Sequence, residues 1–225
     1  MPQLWTYKGA RKKYPVQMGE VWKVGDHILI CGDLEGDTTV LKRELKTYQP
    51  DLMFVDPPWD NQIASSFRAR SGVDERPVDC ASLITNILGY AKEMELLCFF
   101  EGGVRRKQMN RDCIKAVGGS LAGEWNICYT NKRTPCMLWA LDFRKEPKQD
   151  YPNFEGMSEI EVEDAVMNTY KPKRVFDTCG GLGGTAIAAQ YAGIPSVTHE
   201  LSPFKMAEAI KNLVKISGTP AERVS

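Results

Sequence analysis

Residues 174–200 place the tightest constraint on what this chain can fold into. Arg174–Asp177 is a short apolar strand carrying Val175 and Phe176. It enters a glycine-rich turn, Thr178-Cys179-Gly180-Gly181-Leu182-Gly183-Gly184. Residues 185–192 are small and helix-compatible, and Pro195–Glu200 reads as a second strand. Strands alternating with helices in this way bury their apolar sides in a layered α/β domain. Glycines let backbone N–H groups approach a ligand closely, and a helix N-terminus favours a carboxylate or phosphate. Glu200 stands 17 residues beyond Gly183, where an acid can bind a ribose hydroxyl pair. A glycine turn alone can be only a tight turn; the ordered run of strand, glycines, helix, strand and acid is the informative part.

The rest of the chain supports the same class. Glu20–Val24 and His27–Cys31 are β-like runs around Gly25-Asp26, a hairpin signal. Asp37 can cap a helix carrying Val40, Leu41, Leu45 and Tyr48, which Pro50 stops. Leu52–Val55 and Leu96–Phe100 read as buried strands. Between them lie a polar, irregular stretch, 60–78, and a helix patterned by Leu83, Ile84, Ile87, Leu88 and Ala91. Residues 104–117 look helical and basic; Leu121–Tyr129 and Cys136–Phe143 form a strand pair joined by Thr130–Pro135. Ser158 and Glu161 fit a capping box, and Ser202-Pro203 opens a helix that Gly218 closes. The expected fold is a mostly parallel sheet with an antiparallel hairpin strand and helices on both faces. Residues 1–19 form a basic extension (Lys8, Arg11, Lys12, Lys13), 20–218 a single domain, and 219–225 a tail.

Composition narrows the function. Of 225 residues, 43% are hydrophobic and 26% charged, which supplies a core and excludes disorder throughout. Unbroken apolar runs such as Leu96–Phe100 are far short of a membrane span, and the N-terminus has no secretory apolar region. No membrane association and a cytoplasmic location are therefore expected. The seven cysteines form no C-x-x-C pair and have only His27 and His199 to join them, so no metal site is expected. A net charge of zero excludes a globally basic nucleic-acid binder but not a local basic face.

The most distinctive local feature is Asp56-Pro57-Pro58-Trp59, which ends the Leu52–Val55 strand. The Pro-Pro unit fixes the direction of its backbone carbonyls. A carboxylate and a neighbouring carbonyl can together accept both hydrogens of one –NH2 group, and Trp59 offers a flat face for stacking. The combination suits an exocyclic amine on a planar base; the plainer alternative is a strand-ending turn with a core tryptophan. Cys31-Gly32-Asp33, at the end of the Ile28–Ile30 run, is a third strand-end acid, which by itself could be a turn aspartate.

Together these elements resemble the S-adenosylmethionine-dependent amino-methyltransferases that act on exocyclic nitrogens of bases. The order, catalytic motif first and cofactor motif later, is that of the permuted β type, and the resemblance covers roughly residues 20–216. It implies that Asp56, Pro57, Pro58 and Trp59 are catalytic. It implies that Asp33 binds the cofactor's adenine amine, that Asp177, Cys179, Gly181 and Gly183 form the cofactor loop, and that Glu200 is the ribose acid. Thr178 and Cys179 stand where the family has proline and phenylalanine. The phrase from Gly25 to Asp33 looks like phage and prophage DNA methylases, and the tryptophan form of the catalytic motif is also typical of messenger-RNA adenine methyltransferases.

The resemblance implies adenine-N6 methylation of DNA, with RNA adenine and DNA cytosine-N4 as alternatives. Two other classes stay open: a non-catalytic subunit of this fold that binds nucleic acid, and a dinucleotide-dependent oxidoreductase, which would leave Asp56–Trp59 unexplained. Arg68 and Arg70 follow the catalytic motif and are the candidate phosphate contacts. The family's target-recognition segment is reduced here to 144–157, too short for a recognition module. Longer specificity would then need a second copy of the chain or a partner subunit.

Overall fold

A computed structural model of the chain describes residues 8–129, 134–147 and 150–225. Helix α1 (Lys8–Lys13) leads into a hairpin of β1 (Val21–Val24) and β2 (His27–Cys31), turned at Gly25 with φ +58°. Helix α2 (Thr39–Tyr48) follows, then β3 (Leu52–Val55), α3 (Asn61–Ser71), α4 (Cys80–Glu93) and β4 (Leu97–Gly103). A short 3-10 turn, Val104–Arg106, opens α5 (Lys107–Ala116), and the long strands β5 (Leu121–Tyr129) and β6 (Thr134–Asp142) come next. The chain closes with α6 (Glu159–Tyr170), β7 (Val175–Asp177), α7 (Gly184–Ala192), β8 (Ser196–Glu200), α8 (Pro203–Ser217) and β9 (Ala221–Arg223).

The strands form one sheet in the order β5-β6-β4-β3-β7-β8-β2-β1-β9. The central strands β4, β3, β7, β8 and β2 run parallel. Both edges are antiparallel, β5 and β6 on one side and β1 and β9 on the other. From β3 the chain moves outward to β4, and from β7 outward to β8. The order therefore reverses between β3 and β7, which makes their C-terminal ends the switch point where α/β sheets bind ligands.

Alternate residues of each central strand feed opposite layers. Val55, Phe100 and Phe176 face α2, α4 and α5, while Phe54, Phe99 and Val175 face α6 and α7. Towards β1, α1 and α8 cover Trp22, Leu29 and Cys31. The capping box at Ser158 is formed, with Glu161 Oε2 accepting Ser158 N–H at 2.7 Å. Ser202 caps α8, and Gly218 ends it with φ +70°.

Two expectations need correction. Most of the stretch 60–78 is helix α3, not an irregular loop. Asp60 caps it by accepting the Ile63 N–H at 2.8 Å, and Gly72 ends it in the left-handed region. Its buried face consists of Ala64 and Arg68, so no apolar stripe marks it in the sequence. The supposed tail contains β9, which pairs with β1 through backbone bonds and an Arg223–Glu20 ion pair at 3.0 Å. The basic extension is helical over 8–13 and packs Ala10 against α8. Residues 130–133 of the expected β5–β6 joint, and 1–7 of the extension, lie outside the described residues.

Of the reduced 144–157 segment, residues 154–157 form a strap along β5. Phe154 is fully buried beside Trp125 (rings 4.9 Å apart) and Phe99. Cys128 N–H donates to Met157 O at 2.8 Å, Gly156 N–H donates to Asn126 O at 2.8 Å, and Glu155 accepts from Asn126.

Candidate active site

Each expected site residue ends or follows a strand of the parallel core. Val55 is in register with Phe100 on β4, and Phe54 with Asp177 on β7. Asp56 thus leaves β3 between the ends of β4 and β7. Pro57 is buried, and the Pro58 carbonyl receives the Cys80 thiol at 3.6 Å. The motif is thereby pinned to α4. Trp59 turns back, and its indole N–H donates to Asp56 Oδ1 at 3.0 Å. Its ring lies against Gly103 and meets Tyr129 edge-on at 5.6 Å. A Cβ on Gly103 would sit 3.2 Å from the ring, so glycine gives the indole its seat.

Burial of the Asp56 carboxyl pushes its pKa up to about 6, opposed by the Trp59 N–H and the positive charge of Lys205. Lys205, near the start of α8, rests over the Phe67 ring of α3 at 4.4 Å. Around it the same desolvation raises Asp177 to about 7 and Glu159, at the start of α6, to about 8, and holds Glu101 of β4 and Glu163 of α6 well above the usual carboxylate range. The charge of Asp56 adds to the rise at Asp177, Glu101 and Glu159.

The glycine loop follows β7 and is closed by the other expected residues. Asp177 Oδ1 accepts the Cys179 N–H at 3.0 Å. Glu200 accepts the Gly181 N–H at 2.8 Å and the Ser202 N–H at 2.7 Å, tying the loop to the end of β8. A Cβ on Gly180 would collide with Thr198 Cγ2, and one on Gly183 (φ +86°) would lie 3.0 Å from Ala209. Thr185 donates to Glu163 at 2.7 Å, anchoring the N-terminus of α7 to α6. His199 is buried with Nδ1 3.1 Å from the Thr178 carbonyl, and burial lowers its pKa to about 4. It supports the loop as a neutral ring.

Asp33 follows β2, whose last residue Cys31 is in register with Glu200. The structure changes the role of Arg68. Its guanidinium is 3% exposed and grips Asp33 through two bonds of 2.8 and 2.9 Å, while also binding Asp74 at 2.8 Å and Glu35 at 3.1 Å. A side chain sealed among three carboxylates is not a phosphate contact, so that expectation is withdrawn. Arg70 is exposed on α3, where Gln62, Ile63, Ser66, Phe67 and Arg70 line a shallow groove of about 250 Å³. Lys107 and Arg111, in the basic stretch 104–117, pair with Glu124. Among the described residues, no group of His, Cys, Asp and Glu could hold a metal ion, and no helix is long and apolar enough to cross a membrane.

Sequence reasoning missed Glu101, Glu159, Tyr129 and Lys205. A signal for Glu101 existed: it directly follows the apolar run Leu96–Phe100, just as Asp56 follows Leu52–Val55. The others come from distant segments, and only the fold brings them together.

The chain matches no known family model and no curated protein sequence. Its fold does match solved structures. M1.HpyAVI superposes with a TM-score of 0.56 at 14% identity, over 82% of this chain and 97% of the other. TTHA0409 from Thermus thermophilus, solved in complex with S-adenosyl-L-methionine, gives 0.59 at 14% identity, over 85% and 95%. The cytosine-N4-specific PvuII DNA methyltransferase gives 0.54 at 13% identity, over 87% and 93%. At these identities the likeness is one of architecture: this chain has the Rossmann-like methyltransferase fold, with Asp56 and Asp177 at its switch point.

Proposed function

We propose that the chain transfers a methyl group from S-adenosylmethionine to an exocyclic amine of a base in nucleic acid, with N6 of adenine in DNA as the substrate. The observation that carries this reading is the position of Asp56-Pro57-Pro58-Trp59 beside the glycine loop at the switch point. The residues fit such a cofactor. Asp33 and Glu200 stand at the ends of paired strands, the N-terminus of α7 faces the loop, and the Thr178 hydroxyl is buried with no partner. Asp33, Asp177, Cys179, Gly181, Gly183 and Glu200 would hold it. Arg68 aligns Asp33 from the side, and its grip leaves lone pairs of the carboxylate for an amine.

When bound, the cofactor supplies an electrophilic methyl group on its sulfonium. The exocyclic amine is a poor nucleophile because its lone pair is delocalised into the ring. Asp56 and the Pro57 carbonyl accept its two N–H bonds, which frees and directs that lone pair. The rest is positioning together with electrostatic support for the charge that develops on nitrogen. A base in a duplex must leave the stack to reach the strand end. Arg70 and the α3 groove lie on the substrate side.

Nucleoside mass spectrometry on DNA and RNA from cells expressing the protein tests the reading. N6-methyladenine in DNA is expected. N4-methylcytosine, or methylated adenine confined to RNA, would reassign the substrate, and no modified base in either polymer would refute the activity.

Asp56 acts only as a carboxylate, so the rate of methyl transfer should rise with pH through about 6. Trp59→Phe keeps a ring but removes the N–H that lowers the Asp56 pKa, so this limb should move to higher pH. Equal pH–rate profiles for wild type and variant would show that the indole N–H does not set the Asp56 charge.

Specificity should be short. A zinc finger or homeodomain uses tens of residues to read a few base pairs, whereas 144–157 is short and its residues 154–157 are held on β5. Single-molecule sequencing of DNA methylated by the purified protein should show at most a very short context. A defined site of four or more base pairs without a partner would locate recognition elsewhere.

A further inference from the structure

Glu101 is the buried group that the mechanism above leaves unused. It follows Phe100, the register partner of Val55, and so stands beside Asp56 at adjacent parallel strand ends. Its antiparallel partner on β6 is Leu138, which places its side chain on the Phe54–Phe99 face. Two residues on, and therefore on the same face, Gly103 carries the Trp59 ring. The residue is 3% exposed, and its Oε2 has no hydrogen-bond partner. A buried polar atom left unsatisfied costs stability, so such an atom beside a reactive carboxylate calls for a functional reason.

The titratable groups that act on it are Asp56 of β3, Asp177 of β7, and Glu159 and Glu163 of α6. Tyr129 of β5 and Cys136 of β6 are the other titratable groups coupled to it. Desolvation and the surrounding acids hold the Glu101 pKa well above the usual carboxylate range, which favours its neutral form. A neutral carboxylic acid carries one O–H donor, which a carboxylate lacks.

We propose that Glu101 is a specificity-determining residue of this site, its Oε2–H donating a hydrogen bond to the ring nitrogen adjacent to the target amine. This rests on the methyltransferase reading and sharpens it. In adenine that atom is N1 and in cytosine N3, and both are acceptors. In guanine the amine is flanked by N1–H and N3, and the orientation that presents N1 would face the O–H donor to donor. Asp56 and Pro57 read the amine; Glu101 reads the atom next to it. Together they accept the amine and ring-nitrogen edge that adenine and cytosine share.

The test uses oligonucleotides in which the target adenine is replaced by 1-deazaadenine, whose C–H cannot accept the bond; 3-deazacytosine is the counterpart if the target is cytosine. Wild type should methylate the deaza base about tenfold less efficiently in kcat/KM than the normal base. Glu101→Gln, whose amide still donates, should keep that discrimination. Glu101→Leu, without a donor, should treat the two bases alike after correction for their intrinsic reactivity. Wild type methylating both bases equally would overturn the assignment without any variant having to fold. Discrimination unchanged in Glu101→Leu would overturn it too. Wild type that methylates neither base, in DNA or RNA, would instead reject the methyltransferase reading on which the proposal stands.

Discussion

Asp56→Asn should reduce methyl transfer by about a hundredfold to a thousandfold, the range found when one preorganised group of a reaction centre is removed. The side chain keeps its volume and one acceptor oxygen but loses its charge, and its amide nitrogen then competes with the substrate amine. S-adenosylmethionine binding should stay within about tenfold of wild type, or 1.4 kcal/mol, because Asp56 follows β3 whereas the glycine loop follows β7. The variant should also melt no lower than wild type at pH 7. A carboxyl whose folded pKa lies near 6, above its ordinary value of 3.8, favours folding only when protonated. That contribution is lost as pH rises from about 4 through 6. Substituting it removes an unfavourable buried charge, the stability sacrificed for function at many active sites. Calorimetry for the cofactor, a single-turnover assay and a melting curve measure the three parts. Near wild-type transfer by Asp56→Asn would remove Asp56 from the chemistry.

Arg68→Ala should be the most destabilising single change in α3, by about 3 kcal/mol, the lower end for breaking a buried ion pair. The lower end applies because the stranded acids can partly hydrate: Asp33, Glu35 and Asp74 have side chains 15%, 19% and 40% exposed. Arg68→Lys should recover little, since one ammonium cannot replace a fork bonded to both oxygens of Asp33. Urea unfolding reads the effect directly. A loss under about 0.5 kcal/mol, in the range of an exposed pair, would contradict the buried knot. Arg70→Ala, by contrast, should leave the urea midpoint nearly unchanged and weaken salt-dependent nucleic-acid binding.

The sequence displayed the parts of this fold whose signal is local. The run from Arg174 to Glu200 contains its own strand, glycines, helix and acid, and each lies where expected. The capping box at Ser158 and the Ser202-Pro203 helix start are also contained in a few residues. Arg68 shows what was not legible. A basic residue after a catalytic motif looks like a phosphate contact, and nothing nearby discloses that Asp33, 35 positions earlier, will occupy it. Helix α3 escaped for a related reason, since burying a cation leaves no apolar periodicity. Glu101 on β4 and Glu159 on α6 acquire their character from burial and from the charge of Asp56, a property of packing alone.

The strap over β5 has a consequence for how the molecule behaves in company. β5 is nine residues long and forms an edge of the sheet, and an edge strand of that length is an open template for another chain. In the stretch facing the strap, however, the outward-pointing groups are already spent: Asn126 bonds Glu155 and Gly156, and Cys128 bonds Met157. The segment too short to read DNA therefore works as a hem, closing the edge where stacking of sheets from one copy to the next would begin. Loosening it, for example by grafting a recognition module between 144 and 157, would expose that edge unless the contacts of 154–157 were kept intact.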